Sequence, residues 1–200
     1  NYEYVQQYFS PVERYRSVEF ERDWNRTSSN IVADQHIVGA ALGVTKRDLG
    51  LINYRFNTFL EGKDYKAYKN FVDFNVKKKG FNVFYNGSYL TANSMPSSDF
   101  YRHKSGISQS VKKINFGLKD EFEQNKFYRV NHDSLYSNSY QFWEWQAFLQ
   151  NADTAKTKYG LNYKQRTDFG MKKIDSTHSQ MQRGALAQSY GAFAELLKNP

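Results

Sequence analysis

Apolar and polar residues alternate with a period of two along much of this chain. In the stretch 51–61, Ile52, Tyr54 and Phe56 alternate with asparagine and arginine residues. The same pattern recurs in the stretches 35–45, 68–77, 81–90, 143–150 and 158–166. Because successive side chains of a β-strand point to opposite faces, the sequence predicts strands with one apolar and one polar face.

Short polar turns separate the first of these stretches at 46–48, 62–64 and 78–80. Connections this short join neighbouring strands as hairpins, so the sequence predicts an antiparallel meander. A longer loop is predicted at 93–99, and the stretch 127–139 is predicted to be either a second longer polar loop or a short strand with flanking residues. A weakly alternating region, 102–123, lies between them. The last stretch, 186–197, has the pattern of either a strand or a short helix rich in alanine and leucine.

The predicted strands are long. The stretches 35–45 and 51–61 each span eleven residues, whereas strands of soluble proteins usually have about five or six. A tilted strand needs about nine to eleven residues to cross a bilayer. The predicted fold class is therefore all-β, an antiparallel meander of long strands that forms part of a very large transmembrane β-barrel. A soluble twisted sheet with one face on a core also alternates, and it is the competing interpretation.

The barrel interpretation assigns each strand face to a different environment. The apolar side chains predicted to face lipid are Ile52, Tyr54, Phe56, Val72, Phe74, Val76, Val83, Tyr85, Trp143, Trp145, Tyr159, Leu161 and Tyr163. The polar side chains predicted to face the lumen are Asn53, Arg55, Asn57, Lys69, Asp73, Asn75, Lys77, Glu144, Gln146, Lys158, Lys164 and Arg166.

The amino-acid composition supports the predicted strands and excludes several kinds of site. Aromatic residues make up 18% of the chain within a hydrophobic total of 40%, which suits pleated surfaces and membrane interfaces. No run of about 18 apolar residues predicts a transmembrane helix. The absence of cysteine excludes disulfides, thiolate metal sites and cysteine nucleophiles. The net charge of +8 is scattered without a compact basic patch, so nucleic acid is not a predicted partner.

Residues that support catalysis are not grouped in the sequence. The four histidines, His36, His103, His132 and His178, are far apart and form no zinc-ligand spacing. No glycine-rich phosphate loop or Gly-x-Ser-x-Gly turn occurs. Glu121 and Glu123 resemble a glycosidase pair but lack a pocket-forming context. We therefore expect neither enzymatic activity, nor a metal, nor another cofactor.

One distinctive motif precedes the alternating stretches. It reads Val18, Glu19, Phe20, Glu21, Arg22, Asp23, Trp24 and Asn25. Trp24 is expected to act as a membrane-interface anchor. The motif and the long strands after it resemble the outer-membrane translocon of the type IX secretion system of Bacteroidetes, the SprA/Sov family.

The resemblance implies an integral protein of the bacterial outer membrane whose barrel conducts secreted proteins to the cell surface, among them the adhesins of gliding motility. It implies three kinds of partner: secreted cargo proteins, accessory subunits that plug or gate the pore, and outer-membrane lipid. Because 200 residues cannot enclose such a pore, we expect this chain to be one wall segment. Its expected parts are an opening segment, 1–33, with the Glu-Arg-Asp-Trp-Asn motif, regular hairpins, 34–92, and strands with longer loops, 93–200.

Two other functions fit the same alternation. One is a TonB-dependent or porin-like barrel that transports small solutes. The other is a soluble β-rich module that binds glycans or proteins, for which exposed tryptophan and tyrosine side chains are equally suited.

Overall fold

The computed structural model describes residues 1–6, 24–25, 33–47, 49–129, 135–151, 157–173 and 179–196. These residues form ten β-strands: β1 (Tyr2–Val5), β2 (Gln35–Lys46), β3 (Gly50–Glu61), β4 (Tyr65–Lys78), β5 (Phe81–Asn93), β6 (Ser97–Val111), β7 (Ile114–Tyr128), β8 (Tyr140–Asn151), β9 (Thr157–Lys173) and β10 (Ser179–Leu196). The all-β prediction is confirmed. No helix capable of crossing a membrane occurs in these described ranges.

The ten strands make a single sheet in chain order, and every pair of neighbours is antiparallel. The predicted meander is therefore confirmed. Strands β1 and β10 are the two edges, so the described sheet is open. Apart from β1, the strands contain 12 to 18 residues, well above the length usual in soluble sheets.

The tight hairpins follow from local backbone chemistry. Lys79 and Gly80 join β4 to β5 with φ of 49° and 80°. Two central residues with positive φ are the hallmark of a type I′ turn, whose twist matches that of the flanking strands. Lys112, in the two-residue connection between β6 and β7, also has a positive φ, of 52°. Adjacent strands are thereby held in register.

The two ends of the sheet differ in their connections. At the short-turn end the connections are 47–49, 79–80, 112–113 and 152–156. At the long-loop end they are 6–34, 62–64, 94–96, 129–139 and 174–178. Short connections at one end and some longer ones at the other are typical of bacterial outer-membrane barrels.

Several predicted boundaries are wrong. The loop expected at 93–99 is only 94–96, because Ser98 already pairs with Ala92. The weakly alternating region, 102–123, belongs to the two full strands β6 and β7. In the stretch 127–139, expected as a loop or a short strand, the first two residues belong to β7, and 130–134 lie outside the described residues. Of the two alternatives predicted for the last stretch, the strand is confirmed as part of β10.

Buried apolar residues are concentrated in one small cluster near the long-loop end. It consists of Trp24, Phe59, Ala67, Leu90 and Ala92, with Ile37, Tyr65 and Phe100 packed around it. Phe59 and Leu90 are fully buried. The sheet is thus covered locally, over one corner, while much of its apolar surface lies open.

Candidate functional site

The register of the strands divides their side chains into two faces. Directly paired residues of antiparallel strands lie on the same face, so a row of partners can be followed across the sheet. One such row is Val76, Val83, Ile107, Leu118, Ala147, Tyr163 and Tyr190. We call the face that holds this row the apolar face and the opposite one the polar face.

The residues predicted to face lipid all lie on the apolar face, and those predicted to face the lumen all lie on the polar face. Many large side chains of the apolar face are open. Leu42 is 71% exposed, Leu161 is 58% exposed and Ile52 is 56% exposed. Monomeric soluble proteins rarely leave a continuous apolar surface of this kind uncovered.

The apolar face carries a band whose height suits a bilayer. On β5 it extends over nine residues, from Phe81 to Tyr89, which is about 27 Å along a strand. Aromatic rings cross the strands within it: the Phe74 and Tyr85 centroids are 5.9 Å apart, and those of Trp145 and Tyr163 are 4.9 Å apart. These ring contacts link the band between β4 and β5 and between β8 and β9.

Tyrosines border this band at the long-loop end. The carboxylate of Asp99 accepts hydrogen bonds from Tyr89 at 3.2 Å, from Thr91 at 2.7 Å and from Tyr128 at 2.9 Å. Tyrosine has an apolar ring and a polar hydroxyl, so it suits a border between hydrocarbon and water. Asp99 holds these hydroxyls in place.

An ionisable pair interrupts the apolar band. His103 Nε2 lies 2.6 Å from Asp120 Oδ2, and the Trp143 indole donates a hydrogen bond to the same carboxylate. The rings of Tyr85 and Phe122 lie against His103, with centroids 5.7 and 5.8 Å away. The pair stabilises both ionisable groups in this apolar setting, although His103 Nδ1 is buried without a hydrogen-bond partner.

The polar face carries charges of both signs in close pairs. A row of partners across it reads Asn53, Asp73, Asn86, Lys104, Glu121, Glu144 and Arg166. Lys104 Nζ lies 2.9 Å from Glu121, and Lys164 Nζ lies 2.8 Å from Glu144. Opposite charges on adjacent strands stabilise the sheet modestly, and they keep this face wettable.

Several cations of the polar face also lie over aromatic rings. The Arg166 guanidinium is 3.9 Å from the Phe142 centroid, and Lys69 Nζ is 4.8 Å from the Phe71 centroid. Lys69, although predicted to face the lumen, is buried. Its Nζ lies 6.0 Å from the Trp24 ring, so this part of the polar face is covered by the chain itself.

The residues that cover this part of the polar face are Trp24 and Asn25, which we call the docked dipeptide. The Trp24 ring lies 5.3 Å from that of Phe59, and its carbonyl accepts a hydrogen bond from the Tyr65 hydroxyl. Asn25 Nδ2 donates to Ser98 at 2.8 Å and to Asn125 at 3.0 Å, and Asn125 donates back at 2.9 Å. All of these sheet residues are on the polar face.

The docked dipeptide corrects one expectation. Trp24 is 6% exposed and packs against the polar face, so it is not an interface anchor on the apolar face. The rest of the motif, Val18–Asp23, lies outside the described residues. A partial signal for this site was present in the sequence, because Phe59, Ala67 and Leu90 break the alternation of their strands, although Leu51, Phe71 and Phe84 break it as well.

Comparison of the chain with models of protein families, with curated proteins and with solved structures gave no significant match. Within the described part of the chain, no three His, Cys, Asp or Glu residues are grouped closely enough to hold a metal ion. The functional argument therefore rests on the two faces of the sheet and on the docked dipeptide.

Proposed function

We propose that this chain is a wall segment of an outer-membrane β-barrel, and that the barrel is the protein-conducting translocon of a type IX secretion system. The apolar face meets lipid and the polar face lines the pore. The observation that carries the wall assignment is the contrast between the exposed apolar band and the charged face behind it on the same ten strands.

The chemistry of the polar face supports passage of a polypeptide. Its cations and carboxylates are largely paired, as Lys104 with Glu121 and Lys164 with Glu144. A pore wall whose cations and carboxylates are paired is hydrated, and it does not bind a passing polypeptide of either net charge strongly. The docked dipeptide lies on the same face, which is consistent with a motif that acts inside the pore.

The open sheet supports a barrel larger than these strands alone. A barrel has no edges, so in this proposal the edges formed by β1 and β10 pair with further strands. The identity of the transported molecule rests on the resemblance of the motif Val18–Asn25 to the translocon family. Its partners in this proposal are secreted cargo, plugging or gating subunits, and outer-membrane lipid.

The test uses two neighbouring positions on β3 in the native protein. A photo-crosslinking residue at Arg55, on the polar face, should capture exported polypeptides in the outer-membrane fraction. The matched control at Tyr54, on the apolar face, should capture none of them. Recovery of the protein in the soluble fraction would refute the wall assignment. Outer-membrane recovery without any captured polypeptide at Arg55 would favour a solute-transporting barrel instead.

A further inference from the structure

We propose that the short-turn end of the sheet docks onto the phosphate groups of anionic phospholipid headgroups. The surface, called the cationic rim, consists of Lys46, Arg47, Lys77, Lys78, Lys79, Lys112 and Lys113. The proposal extends the barrel-wall proposal, because it names the lipid that would border the apolar band at this end.

The sequence suggested that the net charge is scattered, but the fold gathers most of it in the cationic rim, at one end of the sheet. All seven side chains are exposed. They lie in three successive hairpin connections, 47–49, 79–80 and 112–113, or at the strand ends beside them. In the sequence, Asp48 is the only carboxylate within the segments 46–49, 77–80 and 112–113. The whole chain has a net charge of +8, so this end is strongly positive.

The two short connections of the long-loop end, 62–64 and 94–96, have no comparable excess. Lys63 and Asp64 share the connection between β3 and β4, and the connection 94–96 carries no charge. Asp99 adds a carboxylate at the tyrosine border. Among the connections compared, the excess of positive charge lies at the short-turn end, as expected for a structure that meets a charged surface there.

The cationic rim is continuous with the apolar band. Val111 and Ile114, which flank Lys112 and Lys113, are 50% and 45% exposed. Lys78 pairs with Phe81 on the apolar face. Lysine stems can lie along apolar surface while their ammonium groups reach the polar border. Hydrocarbon and phosphate meet at the same border of a bilayer, which is the combination that these side chains match.

An acidic polypeptide is a less suitable partner for the cationic rim. Cargo would pass along the polar face, where the described cations are largely paired or stacked on rings. By contrast, Lys46 and Lys78 lie on the apolar face by register, paired with Gly50 and Phe81. The cations of the rim thus border the surface assigned to lipid.

The experiment measures partition of the full chain onto vesicles by flotation. Vesicles of phosphatidylcholine are compared with vesicles that contain phosphatidylglycerol at about one third of the lipid. Near an anionic surface each cation contributes roughly fivefold to affinity, so Lys112→Gln with Lys113→Gln should lower partition onto the anionic vesicles by roughly 25-fold. The matched control, Lys63→Gln with Lys66→Gln, removes equal charge at the long-loop end and should have a much smaller effect.

A second readout separates this proposal from the barrel-wall proposal. Brominated phosphatidylcholine quenches tryptophans that contact acyl chains, so quenching of Trp143 and Trp145 tests the apolar face alone. Quenching without a preference for phosphatidylglycerol would refute the proposal for the cationic rim but not the barrel-wall proposal. A preference that needs Lys112 and Lys113 but occurs without quenching would support the rim and overturn the wall. An equal loss of partition onto anionic vesicles in the Lys112/Lys113 variant and in its control would also refute the cationic-rim proposal. Capture of an acidic peptide that depends on Lys112 and Lys113, without a preference for anionic lipid, would refute it as well.

Discussion

Truncation of Phe59 to alanine should reveal how firmly the docked dipeptide holds to the polar face. The Phe59 side chain is fully buried, and its ring centroid lies 5.3 Å from that of Trp24 and 5.4 Å from that of Tyr65. Loss of a buried phenylalanine side chain costs about 3–5 kcal/mol of stability. Of this loss, about 0.5–1.5 kcal/mol should be the coupling energy between the Phe59 and Trp24 rings.

Phe56→Ala is the matched control for this change. Phe56 lies on the same strand but on the apolar face, only half-buried, with its ring 6.2 Å from that of Tyr68. The loss of stability should therefore be clearly smaller. Urea unfolding of the chain in detergent micelles, followed by circular dichroism, measures both free energies.

A double-mutant cycle with Trp24→Ala isolates the pair. Acrylamide quenching of Trp24, in a chain with Trp143→Phe and Trp145→Phe, adds an independent readout. Quenching should be weak, and Phe59→Ala should increase it. A coupling near zero together with strong quenching of Trp24 in the parent chain would refute the packing of this segment against the polar face.

Three further results are expected from the same unfolding assay. Phe74→Arg should destabilise the membrane-inserted chain by about 2–4 kcal/mol, and Asn75→Arg by much less; equal losses would contradict the face assignment. Asn125→Ala should cost about 1–3 kcal/mol, because it leaves the docked dipeptide with unsatisfied amide groups, whereas no loss would argue against this hydrogen-bonded pair. Gly80→Ala should cost at least about 1–2 kcal/mol, because φ is 80° there and the added Cβ would lie 2.6 Å from the Ser110 carbonyl oxygen, while Gly170→Ala, with nothing within 4 Å of the added Cβ, should be nearly neutral; a reversed order would contradict the turn geometry.

Much of the sheet follows from local pattern alone. The alternation in 51–61 defines both faces of β3, because side-chain direction depends only on position along a strand. Short polar segments such as Gly62–Asp64 predict the hairpins for an equally local reason, since so few residues can only reverse the chain. Errors are concentrated where a turn is shorter than its polar composition suggests, as after Asn93.

The long-range contacts could not be predicted in this way. Trp24 contacts Phe59, although 34 residues separate them in the sequence. The alternation of apolar and polar residues gives no information about a contact between positions so far apart. His103 and Asp120 occupy positions on the apolar face of their strands, yet nothing in the sequence indicates that they pair. Single departures from alternation mark where to look, but the partner becomes visible only in the folded sheet.

The uncrossed order of the strands makes this sheet modular. Each hairpin forms hydrogen bonds only with the strands that precede and follow it in the sequence. A duplicated hairpin is therefore inserted next to the strands with which it can pair. Duplication or loss of one hairpin changes the strand number by two, and the flanking strands keep both their direction and their faces. Such a sheet can widen or narrow during evolution in hairpin steps, because each strand depends on its neighbours rather than on the packing of a common core.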